Sequence, residues 1–327
     1  MTTTYHFCTY FDRNYLLRGL TMYRSLRETG LDFTLHVLAL DDETLGAIDA
    51  LAVPGLQSVS LSALEASASG LAQAKSNRSR VEYYFTLTPF LPLYLLDQYP
   101  DIQLITYLDA DLYFYDSPLA IFEELGNRSI LICEHRYSDH LQDKADHGRY
   151  NVQFQAFKRD ASGLACLRRW RDQCLEWCYD RVDDGRYADQ KYLDEWPILY
   201  GETLAILQHK GAGVAPWNWA TFPIKLQSGT VLVADEPLLF YHFHGVKIFN
   251  QHFISNGLAD WGLMPFGLRR WFYANYIREI RASRRWLREK TTLDIPLKDR
   301  IIRGKGVGLA SLGEIARKAW SQAMIIF

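Results

Sequence analysis

The sequence lacks the features that would place it in a membrane or in an oxidising compartment. It contains no run of about 20 uncharged apolar residues, the length that a membrane-spanning helix needs. The first ten residues have neither a basic start nor an apolar run, so they do not resemble a secretion signal. The five cysteines are an odd number without CxxC spacing, which favours neither a disulfide framework nor a zinc site. These absences predict a cytoplasmic protein.

Charge is distributed unevenly, although the net charge is only −2. Residues 267–327 contain fourteen Lys and Arg but five Asp and Glu, a surplus of +9, so the preceding residues carry −11. Near residue 260 the strand patterns also stop and arginine-rich helical patterns begin. The sequence therefore predicts one large unit over residues 1–260 and a basic, aromatic-rich helical region over residues 261–327.

Short apolar runs alternate with helical patterns through the first half of the chain. This alternation predicts an α/β fold in which helices cover both faces of a mostly parallel sheet. Predicted helices cover residues 16–26, 80–96 and 163–179, and Pro89 and Pro92 should bend or divide the second of them. Predicted strands cover residues 5–9, 35–40, 56–61, 102–108, 129–133, 152–157, 231–234 and 238–243.

Two carboxylates follow the most apolar of these strands, residues 102–108. In an extended chain Asp109 and Asp111 would point to the same side, while Ala110 would face away. Ligands of open α/β sheets bind beyond the carboxyl ends of the strands, where a divalent cation would relieve the repulsion between two carboxylates. The alternative interpretation is that both aspartates merely cap a turn.

Five short motifs, in order, extend this pattern. They are Phe7–Tyr15, with an Asp-Arg-Asn-Tyr turn after the first strand; Tyr107–Asp111, with the two carboxylates; Tyr150–Gln153; Asp189–Gln190; and His242–Lys247. Together they resemble the family 8 glycosyltransferases, which include glycogenin and the bacterial lipopolysaccharide galactosyltransferases. The resemblance implies a GT-A fold, a Rossmann-like sheet that binds a nucleotide sugar.

Two departures separate the chain from that family. Lys247 lies one residue earlier than the family pattern places its lysine. The arginine expected in the helix before the carboxylate strand is absent, and Arg78 or Arg80, just upstream, could replace it. The chain is therefore compatible with a sister family that has its own donor preference.

The resemblance implies a metal site for Mn²⁺ or Mg²⁺. Its ligands would be Asp109, Asp111 and His242, and the imidazole nitrogen would favour Mn²⁺. His244 competes with His242 for this role, because alternation along a strand puts both on one face. Asp189 and Gln190 are the candidates for a role beside the sugar, although Asp189 could instead cap a helix.

The resemblance also implies a set of donor-binding residues, with Asp109 among them. Tyr10 could stack on the base, Lys247 could meet the diphosphate as a point charge, and two polar residues of one strand could bind sugar hydroxyls. The full set is Thr9, Tyr10, Asn14, Arg80, Asp109, Asn151, Gln153, Gly245 and Lys247. Each also has a structural alternative: Lys247 could be an ordinary surface lysine, and the aromatic segment Pro216–Trp219 could cover the core rather than a sugar.

The segment from Gly267 to Lys290 is predicted to form an amphipathic helix with basic and aromatic residues. Such a helix could lie on an anionic membrane surface, which would suit a lipid-linked acceptor and a peripheral location on the inner face of the membrane. It could equally pack on the acidic body with its arginines solvated. The acidic main body argues against nucleic-acid binding.

These patterns and the resemblance predict a metal-dependent glycosyltransferase that moves a sugar from a UDP-linked donor to a glycan or lipid-linked acceptor. Two alternatives stay open. One is a non-catalytic protein that binds sugars or nucleotides on the same fold, and the other is a sugar nucleotidyltransferase. The second would need a glycine-rich, basic phosphate loop after the first strand, where the sequence has Phe11-Asp-Arg-Asn14.

Overall fold

The computed structural model describes residues 4–227, 229–249, 253–262, 264–299 and 323–325. The strands are β1 (Tyr5–Phe11), β2 (Phe33–Ala39), β3 (Leu56–Ser60), β4 (Leu104–Leu108), β5 (Leu112–Phe114), β6 (Ile130–Glu134), β7 (Tyr150–Lys158), β8 (Leu204–Ile206), β9 (Ile224–Gln227), β10 (Thr230–Val233), β11 (Glu236–Pro237), β12 (Phe240–His242), β13 (Lys247–Ile248), β14 (Phe253–Ser255) and β15 (Ala323–Ile325). The helices are α1 (Leu16–Glu28), α2 (Asp42–Leu51), α3 (Leu61–Ser67), α4 (Leu71–Asn77), α5 (Arg80–Leu87), α6 (Phe90–Gln98), α7 (Leu119–Leu125), α8 (Ala161–Glu176), α9 (Trp196–Tyr200) and α10 (Phe266–Lys290).

A seven-stranded sheet in the order β3-β2-β1-β4-β7-β6-β8 forms the centre of the fold. Strands β3, β2, β1 and β4 are parallel, β7 is antiparallel to both of its neighbours, and β6 and β8 are parallel to each other. The short strands β5 and β12 pair antiparallel beside this sheet. The predicted α/β fold with a mostly parallel sheet is therefore confirmed.

Local signals in the sequence explain where several helices begin. The Asp41 carboxylate accepts a hydrogen bond from the Thr44 backbone N–H at 2.7 Å, so it caps α2. Ser79 and Glu82 form a reciprocal capping box at the start of α5. Pro89 divides the predicted long helix into α5 and α6, whereas Pro92 lies in the first turn of α6, where no backbone N–H is needed.

Buried apolar side chains form a large cluster on each face of the central sheet. One cluster includes Phe7, Phe154 and Tyr276, so it joins the sheet to α1 and α10. The other includes Tyr107, Phe157 and Trp170, beneath α5, α6 and α8. All five cysteines are free and buried, which agrees with the absence of a disulfide framework.

The C-terminal helix α10 packs against α1. The Thr21 hydroxyl donates to Ser283 Oγ at 2.9 Å, and the ring of Trp286 stacks on that of Tyr23. The apolar side of α10 is thus part of the same core as the strands, while its basic side faces outward. The predicted C-terminal region extends further, but residues 300–322, 326 and 327 lie outside the described residues. Within the described part, no helix is long and apolar enough to span a bilayer.

Candidate active site

The two carboxylates lie in a turn directly after β4. The Leu112 backbone N–H donates to the Asp109 carbonyl at 3.4 Å, and the turn leads straight into β5. The expected extended geometry is therefore wrong, because Ala110 and Asp111 form a turn between the two strands. Ala110 turns into the apolar core, and both carboxylates nevertheless face one place, where His242 meets them.

Pairing of β12 with β5 brings the imidazole to the carboxylates. His242 is aligned with Leu112, the residue after Asp111. Its Nε2 atom lies 3.0 Å from an oxygen of Asp111 and 3.8 Å from one of Asp109. Within the described residues these three side chains form the one cluster able to hold a metal ion, with ligand atoms within 4.8 Å of one another. His244, the competing histidine, is exposed and outside this cluster.

Burial and mutual charge shift the pKa of each member of this cluster. Burial raises the pKa of Asp109 to about 6, against the opposing effect of His242. Burial acts the same way on Asp111, but the adjacent His242 outweighs it and lowers the pKa to about 2. For His242, burial alone would lower the pKa, yet the Asp111 carboxylate raises it above its ordinary value. Positive charge is therefore strongly favoured between the two carboxylates.

The donor set fits a divalent cation. Two carboxylate oxygens and one imidazole nitrogen converge from one side, which suits Mn²⁺ and is acceptable for Mg²⁺. A proton on Nε2 of His242 and a metal ion compete for the same position, since both are attracted by the same pair of carboxylates. The Tyr107 hydroxyl donates to the other oxygen of Asp109 at 3.0 Å and fixes its orientation.

Asp189 lies near this cluster but is not a helix cap. The short 3₁₀ helix that follows begins after Gln190, without a side-chain cap. Asp189 is only 3% exposed, and one of its oxygens has no hydrogen-bond partner among the described residues. Burial, together with the charge of Asp109, raises its pKa to about 7, while a hydrogen bond from Thr88 opposes the shift. Gln190 instead donates its amide to the His147 carbonyl at 2.8 Å.

The residues predicted at the end of β1 occupy different environments. Tyr10 is half-buried among other aromatic rings, and its hydroxyl lies 3.2 Å from that of Thr88. Thr9 is fully buried, and its hydroxyl has no partner within the described part of the chain. Asn14 binds Asp12 through its backbone N–H and its amide, each at 2.9 Å, so these two residues form a closed turn.

Two of the predicted donor-binding residues lie inside β7 rather than in an open cleft. Asn151 donates to Nε2 of His135 at 2.9 Å, and Gln153 is fully buried against His242. Neither side chain is presented to solvent. Sequence alternation placed both on one side of the strand, but it could not show that this side is covered.

Two further residues of the predicted donor-binding set, Gly245 and Lys247, follow β12. Gly245 adopts a φ of +73°, which favours glycine, and its backbone lies close to that of Gly257. Lys247 is exposed at the start of β13. Arg80 is exposed at the first position of α5, whereas Arg78 is buried and donates to the carbonyls of Cys174 and Leu175. Of the two arginines, only Arg80 is available to a ligand.

The aromatic segment after β8 lies against His242, one of the three candidate metal ligands. Trp217 is buried, and its ring lies 5.2 Å from that of His242 in an edge-to-face arrangement. The interpretation of Pro216–Trp219 as cover for the core therefore holds for Trp217, because its ring excludes water from one side of the imidazole.

Two curated proteins of one bacterium are similar to most of the chain. The chain is 31% identical over 258 residues to the uncharacterised protein YfnF of Bacillus subtilis strain 168, covering 76% of this chain and 83% of YfnF. It is 29% identical over 252 residues to YfnD of the same organism, covering 76% of this chain and 80% of YfnD. The chain belongs to the YfnF family. No protein-family model matches it.

Solved structures show the fold of this YfnF-family chain. An active-site mutant of LgtC is 16% identical and superposes with a TM-score of 0.50, covering 85% of this chain and 95% of LgtC. The glycosyltransferase GlyE of Streptococcus pneumoniae TIGR4, in its apo form, is 13% identical with a TM-score of 0.50, covering 91% and 66%. The predicted GT-A fold is thereby confirmed, whereas membership of family 8 stays a prediction.

Sequence reasoning missed several residues that shape this site. Arg18 is buried in α1 and forms a two-pronged ion pair with Asp299, at 3.0 and 2.7 Å, and it also donates to the Val246 carbonyl. Thr88 links Tyr10 to Asp189. No local motif marks either residue, because their partners lie about 80 to 280 positions away along the chain. In this YfnF-family chain, the sequence shows only that Arg18 lies in the first helix and gives no sign that its side chain is buried.

Proposed function

We propose that the chain is a metal-dependent glycosyltransferase, which moves a sugar from a UDP-linked donor to a glycan or lipid-linked acceptor. The observation that supports this most directly is the convergence of Asp109, Asp111 and His242 at the carboxyl end of β4. In a GT-A fold this edge of the sheet is where a nucleotide sugar binds. Retention of the anomeric configuration is part of the proposal by resemblance alone.

Transfer of the sugar leaves negative charge on the nucleoside diphosphate. A bound Mn²⁺ or Mg²⁺ would act there as a Lewis acid and neutralise that charge. Asp109, Asp111 and His242 would hold the ion, and Lys247, exposed at the start of β13, would place a further positive charge beside the diphosphate. The protein supplies orientation and electrostatic stabilisation rather than a new reactive group.

Asp189 would act at the sugar end of the donor, with Gln190 beside it. Its burial raises the pKa to about 7, so near neutral pH the carboxyl group is about half protonated. In that state it can donate a hydrogen bond to a sugar oxygen without burying a second full charge beside Asp109. Tyr10, Arg80 and Gly245 would form part of the walls of the donor site, whereas the side chains of Asn14 and Asn151 are engaged by Asp12 and His135.

The exposed side of α10 supports a peripheral location on the inner face of a membrane. Its exposed basic residues are Arg270, Arg278, Arg285, Arg288 and Lys290. Each basic residue near an anionic surface contributes about 1 kcal/mol. The aromatic side of the helix is packed in the core, so this contact would be chiefly electrostatic.

The proposed function is tested by release of free sugar from a panel of nucleotide sugars, with and without Mn²⁺. We expect hydrolysis of one donor, dependent on metal, and a fall of about a thousandfold in Asp111→Ala. Asp101→Ala, which removes an exposed carboxylate near the other end of the same strand, is the matched control and should keep wild-type rates.

Two results would contradict the proposal. Unchanged hydrolysis in Asp111→Ala would remove the metal mechanism. Donor-dependent thermal stabilisation without any turnover, with or without added acceptors, would favour the non-catalytic binding protein instead.

A further inference from the structure

Gln153 occupies an unusual position for a polar side chain, fully buried between a proposed metal ligand and a cysteine. Its Oε1 atom lies 3.0 Å from Nδ1 of His242, and its Nε2 atom lies 3.4 Å from the sulfur of Cys133. Both ends of the amide are therefore occupied inside the protein. A substrate hydroxyl cannot reach this side chain without displacing His242 or Cys133.

The orientation of the amide follows from the bonding of Cys133. The Cys133 thiol donates to the Glu134 carbonyl at 3.6 Å, which leaves its sulfur as an acceptor. The NH₂ group of Gln153 consequently faces the sulfur, and its carbonyl oxygen faces the imidazole of His242. A carbonyl oxygen accepts only, so Nδ1 of His242 must carry a proton.

The consequence lies on the other side of the imidazole ring. When Nδ1 of a neutral histidine carries the proton, Nε2 holds the free lone pair. In His242 that lone pair is directed between the carboxylates, since Nε2 lies 3.0 Å from Asp111 and 3.8 Å from Asp109. The opposite tautomer would direct an N–H at a metal ion and would exclude it.

The surrounding backbone holds Gln153 in this place. Its carbonyl accepts from the Asp109 N–H at 3.0 Å, and its own N–H donates to the Asn151 amide oxygen at 2.9 Å. A Cβ atom at Gly213 would lie 2.6 Å from the Cys133 sulfur and 3.0 Å from Nε2 of Gln153. Glycine at that position thus leaves the space that the amide fills.

We propose that Gln153 is a positioning residue, which fixes the Nδ1–H tautomer of His242 and so presents Nε2 to a divalent cation. The inference rests on the metal site of the proposed function, and it replaces contact with the donor sugar as the role of Gln153. Groups that hold a metal-ligating histidine in this way orient the ring and increase its basicity, and their loss typically weakens metal binding 10- to 100-fold.

The test compares Gln153→Met with Gln155→Met. Methionine has a similar volume but provides no strong acceptor for Nδ1–H. Gln155 is the matched control because it lies on the same strand, is also fully buried, and its amide has no hydrogen-bond partner among the described residues. Mn²⁺ alone is titrated into each protein, and the free ion is measured by electron paramagnetic resonance. We expect Gln153→Met to bind Mn²⁺ 10- to 100-fold more weakly and Gln155→Met to match the wild type.

A second variant separates the hydrogen bond from general packing. Gln153→Glu keeps an oxygen that accepts from Nδ1, so it should retain Mn²⁺ affinity close to that of the wild type. Weak binding by both Gln153 variants would reduce the role of Gln153 to packing and would overturn the proposal, as would undiminished binding by Gln153→Met.

A tautomer measurement distinguishes this inference from the proposed function. Nitrogen-15 spectra of the histidines, recorded without metal at the alkaline limit of the His242 titration, where the ring is neutral, should show a protonated Nδ1 in the wild type. The signature should be lost in Gln153→Met and kept in Gln155→Met. If the wild type bound no Mn²⁺ but showed this tautomer, the proposed metal function would fail while the role of Gln153 in orienting His242 would stand. An Nδ1 without a proton in the wild type at that pH would overturn the inference itself.

Discussion

The two halves of the central sheet contribute to the candidate site in different ways. The parallel half, β3-β2-β1-β4, is formed by strands that are consecutive along the chain, and it ends in the two carboxylates. The other half, β7-β6-β8, contains the antiparallel strand β7, which lies beside β4. Through Gln153 of β7 it contacts the imidazole of His242, which lies on β12. One half therefore provides charge from contiguous sequence, and the other provides orientation from distant segments.

This difference has a physical basis. In the first half, β1, β2 and β3 are each followed by a helix, and β4 is followed by the turn with the two carboxylates, so local patterns decide the positions of these strands. In the second half, buried polar groups must find partners on other strands, because an unpaired buried group is costly. His135, Asn151, Gln153 and His242 form such a connected series. Its members satisfy one another, and no single segment of sequence shows this.

The largest expected effect comes from removing the imidazole of β12, which the second half of the sheet supports. His242→Ala leaves both carboxylates of β4 in place but removes the nitrogen ligand. We expect donor turnover, measured as kcat/KM, to fall by about a hundredfold to a thousandfold, with weaker Mn²⁺ binding.

His244→Ala is the control for this prediction, since His244 is exposed and lies two residues further along. It should remain close to the wild type. If His244→Ala lost activity while His242→Ala kept it, the third ligand would be the other histidine, and β12 would not complete the site.

A smaller effect is expected where the C-terminal segment is tied to the parallel half. Asp299→Asn breaks the ion pair with Arg18, which is nearly fully buried, while the Asp299 side chain is 24% exposed. Because Arg18 would keep its charge without a full partner, unfolding free energy should fall by about 3 kcal/mol. Urea unfolding measures the change.

The surface pair between Arg13 and Glu43 provides the comparison, because both side chains are about one third exposed. Glu43→Gln should cost less than about 1 kcal/mol. Equal costs for Asp299→Asn and Glu43→Gln would show that the C-terminal segment is not held through Arg18.

The smallest expected effect is on the pH dependence of the unfolding free energy, through a histidine of the parallel half. His36 lies in β2, where its ring faces His6 and Tyr99. Burial, and then the neighbouring His6, lowers its pKa from 6.5 to about 4. The unfolded state therefore binds a proton first as the pH falls. Stability contributed by neutral His36 is complete above about pH 6.5 and is lost as the pH approaches 4, by about 2 kcal/mol between pH 7 and pH 5.

The measurement is urea unfolding of the wild type and of His36→Gln at both pH values. The variant should lose part of the pH dependence and keep wild-type turnover at pH 7. His140→Gln, at an exposed histidine, is the control variant and should keep the pH dependence of the wild type. The same pH dependence in His36→Gln and in the wild type would show that His36 is not its source.

Sequence patterns predicted the local features well. Apolar periodicity gave β1, β2, β4 and α8 to within a few residues at each end, and the position of Pro89 gave the division between α5 and α6. These features depend on neighbours in the chain. The carboxylates after β4 were found in the same way, although their arrangement in a turn was not, because it depends on the pairing of β5 with β12.

Long-range partners explain what the patterns missed. The polar alternation of Asn151 and Gln153 suggested a surface for the donor, whereas β6, β12 and the loop around Gly213 cover that surface. Similarly, the aromatic residues of α10 suggested a membrane face, but most of them pack against α1, β5 and β12. An amphipathic pattern shows that one side of an element is covered without showing by what.

The sequence by itself determined the fold class, the strand that ends in two carboxylates, and the resemblance that pointed to sugar transfer, since each depends on residues close together in the chain. The tertiary structure alone decided which histidine joins those carboxylates, which amide faces the other side of its ring, and which buried charged groups form ion pairs. These depend on contacts between segments up to 281 positions apart, and the geometry of such contacts is set only when the strands pair.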